Sequence, residues 1–281
     1  MRLVQFETED KLRLNGLLSN VGSRTTILHI HGKCGNFYEN KFVKIMFGAY
    51  AAANLNFLSF NNRGTACYTE AYKGKDTVYI GTAVEEFTEC ILDIAAAIKF
   101  AESFSERVVL QGHSFGCEKV MYYAQQVNSG IELIVLSPSD GYRLQEAYIF
   151  PETVEEQLER LRSTYHLSGM EWLPAWEYGI RARDVEYHVP IVAWSLVGLI
   201  TGPPFDLLRL GRPWGRPKIS NRSFVYIGGE DALQLDGVEA MAEGIKERFL
   251  DPTLLVLREG RHDLRPSPAE VVCKIIHWLE R

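Results

Sequence analysis

The sequence predicts an α/β protein: a mostly parallel sheet of about eight strands, helices on both faces, and a largely helical insertion after the sixth strand. Three observations carry this. Short apolar, β-branched runs alternate with stretches whose apolar residues recur at helical spacing, the pattern of parallel strands joined by covering helices. The alternation breaks only once, between Tyr142 and Lys218. Of the 281 residues, 46% are hydrophobic, which is enough for one large core.

In chain order, residues 3–7 and 12–18 read as an opening β-hairpin, followed by strands at 25–30, 55–60, 107–111, 131–137, 222–227 and 253–258. Helical patterns fall at 38–54, 84–104, 116–128, 237–249 and 268–280. There is no internal repeat and no low-complexity tract. Residues 143–217 are too many for a structureless loop in a compact domain, so they should carry structure of their own. The first part, residues 151–167, is helical in pattern, with Val154, Leu158, Leu161 and Tyr165 on one face. The organisation expected is a core of residues 1–142 and 218–281, interrupted by the insertion at 143–217.

The chemistry concentrates at Gly112-His113-Ser114-Phe115-Gly116, a G-x-S-x-G sequence. Alone the pattern is weak. Here it follows an apolar run, Arg107-Val108-Val109-Leu110-Gln111, and precedes a stretch with Val120, Met121, Tyr123, Ala124 and Val127 at helical spacing. Strand, sharp turn and helix are the context that exposes a nucleophilic serine, with glycines where a side chain would clash. Two further turns supply partners. The strand ending at Ile227 runs into Gly228-Gly229-Glu230-Asp231, and the strand at 253–258 into Glu259-Gly260-Arg261-His262-Asp263. The chain order is therefore Ser114, Asp231, His262, each just past the C-terminal end of a predicted strand.

With these pieces, His31-Gly32 after the strand at 25–30, and Asn61-Asn62-Arg63-Gly64 after the strand at 55–60, the chain resembles the α/β-hydrolase superfamily over nearly its whole length. The Asn61–Gly64 segment and Glu85-Glu86-Phe87 are similar to a branch known only as hydrolases of unknown function. The resemblance implies a cap over the active site formed by residues 143–217, and an oxyanion hole built from the backbone N–H of Phe115 and that of Lys33, with Cys34 as the alternative. His262 would take the Ser114 proton, and Asp231 would fix the imidazole tautomer.

Each role has a competitor. Asp231 could cap a helix beginning near Leu235. Asp140, after the sixth strand, is the rival acid, because triad geometry is not tied to one strand. Lys33 is unusual where small or apolar residues are common; it either reaches an anionic substrate group or is a solvated loop lysine. Cys34 and the cap aromatics Trp172, Trp176 and Trp194 are the expected substrate contacts, suited to an apolar or ring-containing group.

Composition narrows the function class. A net charge of −6 gives no footprint for nucleic acid and no polybasic membrane anchor. The five cysteines are odd in number and scattered, so neither a disulfide framework nor a metal site is expected, and the resemblance implies no cofactor. The N-terminus lacks a signal-peptide core, and the longest apolar stretch is too short to span a bilayer, which makes the cytoplasm the simplest location. The reading is a serine hydrolase of esters, thioesters or lactones of small or medium molecules. The alternatives are an acyltransferase, cyclase or carrier-chain thioesterase, and a non-catalytic receptor of the same fold. Oligomeric state is not legible.

Overall fold

The computed structural model describes all residues except 128–129, 149–151, 175–177 and 183–184, with backbone alone at 148, 180–182 and 185–187. The chain opens with β1 (Arg2–Glu7) and β2 (Arg13–Ser19), an antiparallel hairpin, then runs through β3 (Thr25–Ile30), α1 (Lys41–Ala52) and β4 (Asn56–Phe60). A small hairpin follows, β5 (Thr69–Lys73) and β6 (Asp76–Ile80), and then α2 (Cys90–Glu102), β7 (Arg107–His113), α3 (Phe115–Val127) and β8 (Glu132–Leu136). The insertion contains α4 (Gly141–Tyr148), α5 (Val154–Thr164), a hairpin of β9 (Gly179–Ala182) and β10 (Val185–His188), α6 (Ala193–Thr201) and α7 (Pro203–Leu207). The chain closes with β11 (Ser223–Gly228), α8 (Val238–Arg248), β12 (Thr253–Leu257) and α9 (Pro268–Leu279).

The eight-stranded sheet has the order β1-β2-β4-β3-β7-β8-β11-β12. Only the β1/β2 and β2/β4 pairings are antiparallel. Alternate residues feed opposite faces, as the strand period of two requires. Ile27, Val109, Ile134, Phe224 and Tyr226 pack with α1 and α9. Leu28, Leu110, Val135, Val225 and Ile227 pack with α2, α3 and α8, in a core that runs on into the insertion. The insertion is tied back to the main body by polar contacts. Ser195 Oγ donates to the Glu85 carbonyl (3.0 Å), Val192 N–H to the Ala83 carbonyl (3.1 Å) and Leu210 N–H to Asp140 Oδ2 (2.7 Å).

Element boundaries depart from the sequence reading where side chains redirect the backbone. The helix expected over 38–54 begins at Lys41, because Asn36 Oδ1 accepts the N–H groups of Tyr38 and Glu39 and holds a turn there. The helix expected over 84–104 begins at Cys90; Glu85 and Glu86 are extended, and Glu85 turns inward to an ion pair. The insertion is not purely helical, since it also carries the β9/β10 hairpin. No described helix is long and apolar enough to cross a membrane.

Candidate active site

Ser114 sits at the junction of β7 and α3 with φ of 53°, a left-handed conformation that costs a non-glycine residue on the order of 1–3 kcal/mol. Neighbouring groups hold it there. Its N–H donates to the Leu136 carbonyl (3.0 Å), and its own carbonyl accepts from Cys117 N–H (2.8 Å). The flanking glycines are needed for space: a Cβ on Gly112 would strike the Gly116 carbonyl, and one on Gly116 the Ile30 carbonyl.

The loops after β11 and β12 meet beside this turn. Glu230 N–H donates to the Gly260 carbonyl (2.8 Å), an approach that a Cβ on Gly228 would obstruct. Asp231 is fully buried, and its Oδ2 accepts a 2.8 Å hydrogen bond from His262 Nδ1. Its Oδ1 accepts the Leu233 N–H (2.9 Å) within the turn that follows, but it does not cap the next helix, which begins at Val238 after Gly237. With Nδ1 held by the carboxylate, Nε2 is the His262 nitrogen left to accept a proton. His113 adds a second support: its Nε2–H donates to the His262 carbonyl at 2.9 Å. Burial, then the neighbouring His262, lowers the His113 pKa to about 3, so the ring stays neutral and keeps that tautomer. His31 is likewise held neutral, its pKa lowered to about 3 mainly by burial; its Nδ1–H donates to the Gly32 carbonyl (2.8 Å) and its Nε2 accepts from Asn62 N–H (3.3 Å).

The loop after β3 passes directly over Ser114. A Cβ on Gly32 would lie 2.8 Å from Ser114 Cβ and 3.3 Å from its Oγ. Lys33 and Phe115, the expected oxyanion pair, thus flank Ser114 on two sides. As the first residue of α3, Phe115 has an N–H with no acceptor within its helix. The Cys34 N–H is taken by Thr82 Oγ1 (2.9 Å), which removes the alternative donor.

The rival acid is engaged elsewhere. Asp140 accepts the N–H groups of Arg143 (2.9 Å) and Leu210 (2.7 Å) and anchors the start of α4. Asp263 pairs with Arg265.

A cavity of about 40 Å³ opens beside Ser114. Lys33, Phe115 and Glu118 line it from one side, Ser139 from the loop after β8, Gly141 from the start of α4, and Leu144, Gln145, Tyr178 and Phe205 from the rest of the insertion. The expected substrate contacts therefore need correction. Cys34, Trp172 and Trp194 are not in its wall. The Cys34 Sγ instead accepts from the Cys67 thiol at 2.9 Å. Trp172 is 42% exposed and packs edge-on against Tyr68, 5.1 Å between centroids, because it is drawn toward the β5/β6 hairpin. Trp194 lies on the half-buried face of α6, while Ala193, Leu196 and Ile200 point into the core. Trp176 lies outside the described residues. The aromatic walls are Phe115, Tyr178 and Phe205.

Sequence reasoning passed over Glu118. Its signal was present: it lies four residues beyond Ser114, hence on the same side of α3, as an acid in an otherwise buried helix.

An α/β fold with a strained serine at a strand–helix turn, and a histidine and buried aspartate delivered by the last two strands, defines the α/β-hydrolase class. Residues 5–171, more than half of the chain, match the family described as "Alpha/beta hydrolase of unknown function (DUF1057)", and the chain belongs to that family. No curated protein matches it in sequence. Similar solved structures include Est1E from Butyrivibrio proteoclasticus with ferulic acid bound, 17% identical with a TM-score of 0.65 over 99% of this chain and 98% of that one. The esterase Pf2001 from Pyrococcus furiosus is 18% identical with a TM-score of 0.61, covering 100% and 92%. Alpha/beta hydrolase domain-containing protein 10 from mouse is 14% identical with a TM-score of 0.66, covering 100% and 99%. At these identities the likeness is one of fold.

Proposed function

We propose that the chain is a serine esterase that cleaves a carboxylic ester of a small or medium molecule through an acyl-enzyme. The observation that carries this is the 2.8 Å His262–Asp231 hydrogen bond beside a serine held at φ 53° under the Gly32 loop. Esterases among the similar folds agree with it. In the first half-reaction Ser114 Oγ attacks the ester carbonyl as His262 Nε2 takes the hydroxyl proton. The N–H groups of Lys33 and Phe115 stabilise the oxyanion, and the alcohol departs with the proton from His262. Water then attacks the acyl-Ser114 ester with His262 as base, which releases the acid and restores the serine. Residues 143–217 act as a cap, a reading supported by Leu144, Gln145, Tyr178 and Phe205 in the wall of the cavity beside Ser114.

A fluorophosphonate probe and a panel of short ethyl esters and thioesters test the reading. Labelling at Ser114 and ester turnover, both abolished in Ser114→Ala, are expected. Folded protein that neither labels nor cleaves any ester would make this a binding protein of the same fold.

A further inference from the structure

Among the described residues, three polar groups that line the cavity at Ser114 have hydrogen-bonding or ion-pairing capacity left unmet. Glu118 is 1% exposed, and its Oε2 has no hydrogen-bond partner. Tyr178 is 3% exposed, and its hydroxyl has none either. The half-buried Lys33 ammonium lies 4.0 Å from the Tyr178 ring centroid and 4.8 Å from that of Phe115, with no carboxylate in salt-bridge range. The other cation nearby is already paired: Lys119 binds Glu85 and Asn62. Buried polar atoms are nearly always satisfied, so a group of unsatisfied ones around a nucleophile marks where a ligand supplies the missing bonds.

Resting on the esterase reading, we propose that this cavity recognises a carboxylate on the acyl group, so that the preferred substrates are half-esters of short dicarboxylic acids. Lys33 supplies the charge and up to three N–H donors, and the Tyr178 hydroxyl supplies one more. Burial raises the Glu118 pKa to about 8, so at neutral pH it is a carboxylic acid that donates a hydrogen bond instead of opposing the anion. Among the described residues, Lys33 is then the uncompensated charge that lines the cavity. The volume, about 40 Å³, holds roughly three waters where one needs about 10–15 Å³, which suits the three heavy atoms of a carboxylate and not a long chain. The acyl group is the portion expected here, because it stays on Ser114 through both half-reactions, whereas the alcohol must leave through solvent.

The test compares monoethyl succinate with ethyl succinamate, which differ only by a carboxylate against a neutral amide of the same shape. At pH 7 the kcat/KM ratio should favour the anion by about 10- to 100-fold, the range one charge-assisted hydrogen bond supplies. Lys33→Met should bring the ratio near unity, Tyr178→Phe should lower it several-fold, and Glu118→Gln, which remains a neutral donor, should preserve it. Both esters cleaved with equal kcat/KM, or a ratio unchanged in Lys33→Met, would overturn the assignment while leaving the esterase reading intact. Calorimetric titration of Ser114→Ala decides the matter without turnover. Binding of monoethyl succinate but not ethyl succinamate, lost in Ser114→Ala/Lys33→Met, supports the carboxylate site even if no ester is hydrolysed; absent or equal binding refutes it.

Discussion

His113, the residue immediately before Ser114, donates from its Nε2 to the backbone carbonyl of His262 at 2.9 Å. The rings are 5.1 Å apart, and Phe42 packs on the other side of His113 with centroids 4.7 Å apart. The strand that leads into Ser114 therefore also fixes the loop that carries His262. Asp231 then sets the ring orientation through Nδ1.

This arrangement predicts which acid matters. Asp231→Asn should lower kcat by about 10⁴, because an amide stabilises the wrong imidazole tautomer. Asp140→Asn, which perturbs two backbone hydrogen bonds at the start of α4, should stay within about tenfold of the parent, one hydrogen bond's worth. Steady-state kinetics on one neutral ester suffices; the reverse ranking would move the acid to the end of β8. Ser114→Ala and His262→Ala should each remove activity to a similar floor and fail to multiply when combined, since both belong to one unit.

A second prediction concerns Lys119 and Glu85, which are 2% and 1% exposed and form an ion pair between α3 and the segment before α2. Asn62 Oδ1 joins them, accepting from Lys119 Nζ (2.9 Å) and from Gly64 N–H (2.9 Å). The cluster binds the loop after β4 to α3, the helix that follows Ser114. Lys119→Met leaves a buried carboxylate unpaired and should cost about 3–5 kcal/mol in urea unfolding. Adding Glu85→Leu should recover part of that loss, because an apolar pair replaces a charge left alone. A single substitution costing under about 1 kcal/mol would mean the pair is hydrated, not buried.

Much of the fold and site was written in local patterns. The elbow is legible because glycine spacing and the flanking runs are local, and the order of Ser114, Asp231 and His262 follows from reading strand ends. The β5/β6 hairpin escaped notice because its residues are mostly exposed and polar, so no apolar period marks it. Glu118 was not singled out, and Trp172 and Trp194 were misplaced, for one reason: whether a side chain meets the cavity is decided by tertiary docking of the insertion, and α6 turns Trp194 aside while Phe205 of α7 faces in. Lys33 could be read two ways from sequence; its place between the Phe115 and Tyr178 rings is what favours the substrate-facing reading over a solvated lysine.

The pH dependence of substrate preference follows from the same cavity. Burial lowers the Lys33 pKa to about 8, an effect opposed by Cys34 on its own loop, by Glu118 of α3 and by Glu85, and reinforced by Lys119. Burial raises that of Glu118 also to about 8, against Lys33 and Lys119 and with Asp140 from the end of β8. Well below pH 8 the pair is an ammonium beside a neutral acid, net +1; as pH rises through about 8 the pair loses protons and its positive charge is lost. Both titrations work in the same direction. The kcat/KM ratio of monoethyl succinate to ethyl succinamate should therefore be highest near pH 6–7 and fall as pH rises through about 8. The neutral amide shares the triad with the anion, so titration of the catalytic base cancels in the ratio. Glu118→Gln removes the alkaline negative charge and should make the fall shallower without moving the plateau below pH 7. A ratio that stays flat from pH 6 to about 9.5 would show that neither group faces the bound acyl chain.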